Sequence, residues 1–316
     1  MRKHAKGGNG MRVAFIGTGS MGSLLIGAFL RSGALHPQNL YVSNRSKQKA
    51  ELLAVRYPGI VLTSSNVEAV QGSDMIFICV KPNHFPEVIN EIRSVVHISQ
   101  LVISISSPVL ISMLEKQIPA KVAKIIPSIT NSVHCGASLC IYGHRVPPED
   151  RLLLEQLMSS ISRPTFIRES ETRIASDIAS CGPAFMAYII QEWARAAAEM
   201  TGIGMPEALG IGAEMLLGTG RLLTEGGFSP EQLQRRVAVP GGVTAEGLAI
   251  LEERLAGVFP SLIEATQRKH QTDLVRLAVM FDSANQPAGS PAHDQANMEA
   301  ASSPAEHSPS PQDDEI

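Results

Sequence analysis

"RVAFIGTGSMGSLLIGAFL", residues 12–30, is the stretch whose reading decides the fold. Arg12–Ile16 is a short apolar run of the kind that forms a buried strand, and residues 23–30 continue as an apolar, helix-like segment. Between them stands Gly17-Thr18-Gly19-Ser20-Met21-Gly22, with the spacing G-x-G-x-x-G. Strand, glycine turn and helix in that order form a dinucleotide-binding turn. Gly17 allows the tight turn, Gly19 lets backbone approach a pyrophosphate, and Gly22 lets helix pack against strand. The helix N-terminus then faces the phosphates.

The next apolar run, Leu40–Ser43, leads into Asn44-Arg45-Ser46. A binder of NAD usually carries an acid near this point for the ribose diol, whereas an arginine suits a 2′-phosphate. No acid occurs between Gly22 and Glu51. Arg45, with the Ser43 and Ser46 hydroxyls, therefore points to NADP(H), with NAD as the alternative. Further strands are expected at 75–80, 101–105, 122–126 and 137–141, with helices at 47–57 and 85–95. Alternating strands and helices imply an α/β fold with a Rossmann-type, doubly wound parallel sheet. Ligands bind beyond the carboxyl ends of such strands. Val80, Lys81 and Pro82, together with 106–108 and 127–130, are thus expected to border the nicotinamide.

From residue 149 the pattern changes to helical runs at 149–161, 183–201, 206–225, 230–236 and 243–274. The expected organisation is an extension at 1–10, a Rossmann domain at 11–148, an all-helical substrate and dimerisation domain at 149–278, and a disordered tail at 283–316. That tail holds five prolines and six acids with no Lys or Arg. The net charge of −3 leaves no strong basic face for nucleic acid, and no apolar run is long enough for a bilayer. Cys79, Cys135, Cys140 and Cys181 form no CxxC pair, so no metal site is expected, and a cytoplasmic protein with reduced thiols is the natural reading.

No lysine lies between Lys124 and Lys269, and no histidine between His144 and His270. On this reading the helical domain cannot supply the proton acceptor that a hydroxy-acid dehydrogenase needs. Reduction of a C=N bond fits better, because a protonated imine is already electrophilic. Two small-residue turns could hold such a substrate: Cys181-Gly182-Pro183, read as a turn opening a helix, and Pro240-Gly241-Gly242-Val243-Thr244. Exposed N–H groups and the Thr244 hydroxyl would suit a carboxylate.

Together the G-x-G-x-x-G turn, Asn44-Arg45-Ser46, Asn66, Val80-Lys81-Pro82, "CGPAF" at 181–185 and "PGGVTAEGL" at 240–248 resemble the pyrroline-5-carboxylate reductase family over residues 11–275. The resemblance implies NAD(P)H-dependent reduction of pyrroline-5-carboxylate, a small cyclic imine carboxylate, to proline. It also implies a homodimer through interleaved C-terminal helices, which some members build into larger rings. By position it makes Thr244 the catalytic, substrate-proximal hydroxyl. It places Gly241, Gly242 and Val243 around the carboxylate, Cys181, Gly182 and Pro183 in the substrate loop, and Asn66 at the adenosine ribose. The chain departs from the family pattern at Cys181, Phe185, Val239 and Ser128, where polar groups have been exchanged. This trimmed pattern is similar to the ComER-like late competence branch. That leaves a second reading, a cofactor-binding regulatory protein with weak or altered reductase activity.

Overall fold

The computed structural model describes residues 10–284. Residues 1–9 of the expected extension and most of the expected tail lie outside the described residues. Eight strands form one sheet: β1 (Val13–Ile16), β2 (Leu40–Ser43), β3 (Val61–Leu62), β4 (Met75–Ile78), β5 (Leu101–Ser104), β6 (Lys121–Ile126), β7 (Ala137–Tyr142) and β8 (Arg163–Phe166). Their order is β3-β2-β1-β4-β5-β6-β7-β8. All neighbours run parallel except β6 and β7, which are antiparallel. Order and direction are those of a doubly wound sheet closed by a reversed edge.

Helices cover both faces. They are α1 (Ser20–Arg31), α2 (Lys47–Arg56), α3 (Asn66–Val70), α4 (Phe85–Ile92), α5 (Ile111–Glu115) and α6 (Pro148–Ser159). Each central strand is buried on both sides, so its sequence is continuously apolar rather than alternating. One core joins Phe15, Phe29 and Phe77 to Leu154 and Met158 of α6. The rings of Phe15 and Phe77 stack with centroids 4.9 Å apart. The opposite core joins Ile78 and Val122 to Phe85 and Ile89 of α4.

The remaining helices are α7 (Thr172–Ser176), α8 (Gly182–Thr201), α9 (Met205–Thr224), α10 (Pro230–Val237), α11 (Val243–Leu255) and α12 (Val258–Ala284). Their apolar side chains are largely exposed, and Ala194 is the one buried residue described on α8, with none on α9. The far end of α12 returns to the sheet domain, where Leu277 and Phe281 enter the core beside α4. No described helix is long and apolar enough to cross a membrane.

Three expectations are corrected. The sheet does not end before 149: α6 fills the first core, and β8 pairs with β7. β8 escapes a sequence reading because it is an edge strand with Pro164 in it and Phe166 66% exposed. The single helix expected over 243–274 is two, broken at Ala256-Gly257, where Gly257 has φ 86°. Finally, Cys181-Gly182 does not open a helix from a free turn. Asp177–Cys181 forms a π turn between α7 and α8, so the chain stays helical from 172 to 201. Pro183 has no N–H to give, and the wider turn before it absorbs the missing i→i−4 bond.

Candidate active site

The carboxyl ends of β1, β2 and β4 meet at the glycine turn. The Gly17 N–H donates to the Ser43 carbonyl at 2.8 Å, and the Cys79 N–H donates to the Ile16 carbonyl at 2.7 Å. Gly17 has φ 97°, and a Cβ there would press on the Cys79 backbone at 3.0 Å. A Cβ on Gly22 would come within 2.2 Å of the Gly17 oxygen, so helix and turn can pack only without a side chain. At Gly19 a Cβ would meet nothing within 4 Å. The protein itself does not demand glycine there; the bare backbone faces open space at the start of α1.

That space suits the phosphates of a dinucleotide. α1 begins at Ser20 with Met21 beside it, has no side-chain cap and carries no acid in its first turn. The Thr18 hydroxyl is buried without a partner, a polar group left for a ligand. The Thr18 N–H donates to Asn44 Oδ1 at 2.9 Å, and Asn44 Nδ2 donates to the Ser46 carbonyl at 2.8 Å. Asn44 therefore braces the turn between β1 and β2. Arg45 and Ser46 are exposed beyond it. The expected role of the Ser43 hydroxyl is corrected: it is buried and donates to Asn66 Oδ1 at 2.7 Å. Asn66 in turn donates from Nδ2 to Glu91 at 2.5 Å, so its amide is engaged at both ends.

Val80, Lys81 and Pro82 follow β4 on the same rim, with the Val80 side chain against Gly17 and Lys81 exposed. The next rim loop, after β5, buries the Ser106 and Ser107 hydroxyls without partners. Ser128 does not face a ligand. It is fully buried, and with Asn131 it makes a capping box that holds the loop after β6.

Behind these loops lies a polar cluster that residue types alone did not reveal. Lys124 on β6 is 0% exposed. Its Nζ donates to Glu169 Oε1 at 2.7 Å and to the Ser107 carbonyl at 3.2 Å. Burial pulls its pKa down, and Glu169 opposes that shift. His270 on α12 is half-buried and also held below its usual range, by burial first and then by Arg173 and Lys124. Lys269 and His270 lie on α12, so the helical domain does hold a lysine and a histidine, contrary to the expectation. Lys269 is exposed and pairs with Asp273.

The π turn belongs to the same cluster. Arg173 Nη2 donates to Asp177 Oδ1 at 2.7 Å and to Cys181 Sγ at 3.3 Å. Cys181, Gly182 and Pro183 are half-buried. The turn at 240–244 stands apart: its described hydrogen bonds stay local, from Gly242 to Val239 and from Ala245 and Glu246 to Gly242. Gly242 caps α11, Gly241 precedes it at φ 74°, Val243 is 90% exposed and Thr244 is half-buried. Within one chain the structure thus gathers the residues expected at the cofactor on one rim and brings Cys181 to a buried cluster. It does not join Thr244 to either. No metal-binding group of three or more His, Cys, Asp or Glu occurs among the described residues.

Comparison with known proteins accords with this geometry. The family described as NADP oxidoreductase, coenzyme F420-dependent, matches residues 12–108. The family described as pyrroline-5-carboxylate reductase dimerisation matches residues 169–273. ComE operon protein 4 of Bacillus subtilis is 38% identical over 271 residues, 86% of this chain and 99% of that one. Pyrroline-5-carboxylate reductase 2 of Homo sapiens is 34% identical over 260 residues, 80% and 79% of the two chains. The crystal structure of Plasmodium falciparum pyrroline carboxylate reductase with NADP bound shares the fold, with a TM-score of 0.71 at 23% identity over 86% of this chain and 98% of that one.

Proposed function

Because the chain belongs to the pyrroline-5-carboxylate reductase family, we propose that it is an NADPH-dependent reductase of 1-pyrroline-5-carboxylate, acting as a cytoplasmic homodimer. The observation that carries the reading is the rim of β1, β2 and β4: an open Gly19 backbone, an unpartnered Thr18 hydroxyl, and an exposed Arg45 in a stretch, 23–50, whose sequence holds no acid. When bound there, the nicotinamide cofactor supplies the hydride. Everything else asked of the chain is binding and alignment. The N–H groups at the start of α11 and the Thr244 hydroxyl hold the substrate carboxylate, with Gly241 and Gly242 leaving room for it. Cys181, Gly182 and Pro183 line the other side. No strong base is needed, since a proton from solvent on the imine nitrogen makes its carbon electrophilic enough to accept the hydride.

A second copy of the chain brings the 240–244 turn to the cofactor rim, beside which the Cys181 turn already stands within one chain. Trp193, Ile189, Ile211, Leu217, Ile250 and Leu251 on α8, α9 and α11 are all exposed in the single chain. So wide an apolar face on successive helices suits an interface with another copy.

A second reading is favoured by the departures at Cys181, Phe185 and Val239 and by the 38% identity to ComE operon protein 4. On that reading the scaffold binds cofactor and serves regulation, with little turnover. A steady-state assay of NADPH oxidation by the purified chain, with Cys181→Ser beside it, separates the two. Imine-dependent oxidation supports the reductase, and a faster Cys181→Ser shows that the thiol is a trimmed contact. Absence of oxidation at saturating cofactor and imine supports the regulatory reading.

A further inference from the structure

The π turn is tied down at three points. Asp177, 4% exposed, accepts from Arg173 at 2.7 Å on Oδ1 and from the Thr266 hydroxyl at 2.7 Å on Oδ2. The Thr266 hydroxyl also lies 2.9 Å from the Ile263 carbonyl, but it has one proton, and the nearer, charged oxygen is the better acceptor. The same Arg173 guanidinium, 17% exposed, reaches Cys181 Sγ. Ser180 Oγ donates to the Pro127 carbonyl at 2.9 Å, fixing the turn to the loop after β6. α7, α12 and the sheet rim are thereby joined through one five-residue segment. A π turn exchanges strong i→i−4 bonds for poorer geometry, so it persists only where its surroundings hold it. Here an ion pair and a charge-assisted hydrogen bond supply that hold.

We propose that Arg173 and Asp177, with Thr266, are positioning residues for the imine-carboxylate site: they fix the π turn so that Cys181 and Gly182 present one geometry to the substrate. The assignment rests on the reading of Cys181–Pro183 as a substrate loop. Neither charged residue needs to touch substrate. Arg173 Nη2 is spent on Asp177 and Cys181, and both oxygens of Asp177 are occupied. The consequence is a division of effect: loosening the clamp weakens imine binding and leaves the cofactor rim untouched.

Two variants test this. Thr266→Val removes one bond isosterically at a half-buried site. Arg173→Met with Asp177→Leu removes the pair together, which leaves no unpaired buried charge and so preserves folding. The expected result for each is about a five- to tenfold rise in KM for the imine, with kcat and the Kd of NADPH within about twofold of wild type. Amide hydrogen exchange over residues 176–185 should quicken by about tenfold, while β1 and β4 stay as protected as before. Unchanged exchange in this segment overturns the clamp. A parallel rise in the NADPH Kd, or an unchanged KM, overturns the positioning role. Exchange is read whether or not the protein turns over, so a failed substrate reading shows in the assay of the wild type, and a failed clamp shows in exchange.

Discussion

At Gly19 and Gly22 two glycines of one motif answer to different causes. Gly22 is required by the fold, because its Cβ would strike the Gly17 oxygen at 2.2 Å. A Cβ at Gly19 meets nothing, so on the proposed reading its requirement comes from the ligand. Gly19→Ala should therefore keep the wild-type melting temperature within about 1–2 °C and weaken NADPH by about tenfold or more in a binding titration. Gly22→Ala should lower stability by about 1–3 kcal/mol in denaturant unfolding, the range for overpacking. Arg45 offers a second contrast. On the proposed reading its exposed guanidinium meets the 2′-phosphate, so Arg45→Ala should raise the Kd of NADPH about tenfold and leave that of NADH unchanged. Equal effects on both cofactors would remove Arg45 from the site. These residues were legible in the sequence because each belongs to a local pattern. Asn44 was read as part of the same cofactor motif, but its bracing of Thr18 became visible only with the hydrogen bonds in place.

Among the elements, the strands of the sheet centre announced themselves as short apolar runs, and β2 was read to the residue. The misreadings have separate physical reasons. β8 is exposed and contains proline, so it lacks both periodicity and a clear apolar face. The π turn was hidden because Gly182-Pro183 is equally good as a helix start and as a proline that a wider turn accommodates. α12 was undervalued because Lys269 and His270 are separated from Lys124, Glu169 and Arg173 by about a hundred residues or more of sequence. The return of α12 to the cluster gives it a pH signature. Burial, then Arg173 and Lys124, depress the His270 pKa in the folded chain, while Asp273 and Asp177 oppose the shift. The unfolded chain then binds a proton that the folded chain refuses. His270 therefore costs no stability above its unfolded value of about 6.5, and stability falls as the pH drops from there through the lowered folded value. Denaturant melts between pH 7.5 and about 5 should show this loss, and His270→Gln should flatten it. A His270→Gln profile as steep as wild type would contradict the assignment.

For the molecule as a whole, the sheet domain closes two cores, one of them with Leu277 and Phe281 of α12, whereas the described helices α8 to α11 close none of their own. The proposed second copy of the chain answers both their exposed apolar faces and the separation of Thr244 from the proposed cofactor rim. Sedimentation at micromolar concentration should give a dimer, with larger rings as a further state, and a folded monomer would contradict the proposed assembly. On the proposed reading the glycine turn at 240–244 then holds the substrate, and Thr244→Ala should lower kcat/KM about 10- to 100-fold, the effect of one hydrogen bond to a charged group felt at the transition state. The central claim is that this assembly reduces a cyclic imine with NADPH. The most direct measurement is the yield of proline from 1-pyrroline-5-carboxylate incubated with the purified full chain and NADPH, set against NADPH consumed. The account predicts one proline formed for each NADPH oxidised, with the yield falling in Thr244→Ala. Tight NADPH binding with no proline formed would contradict it.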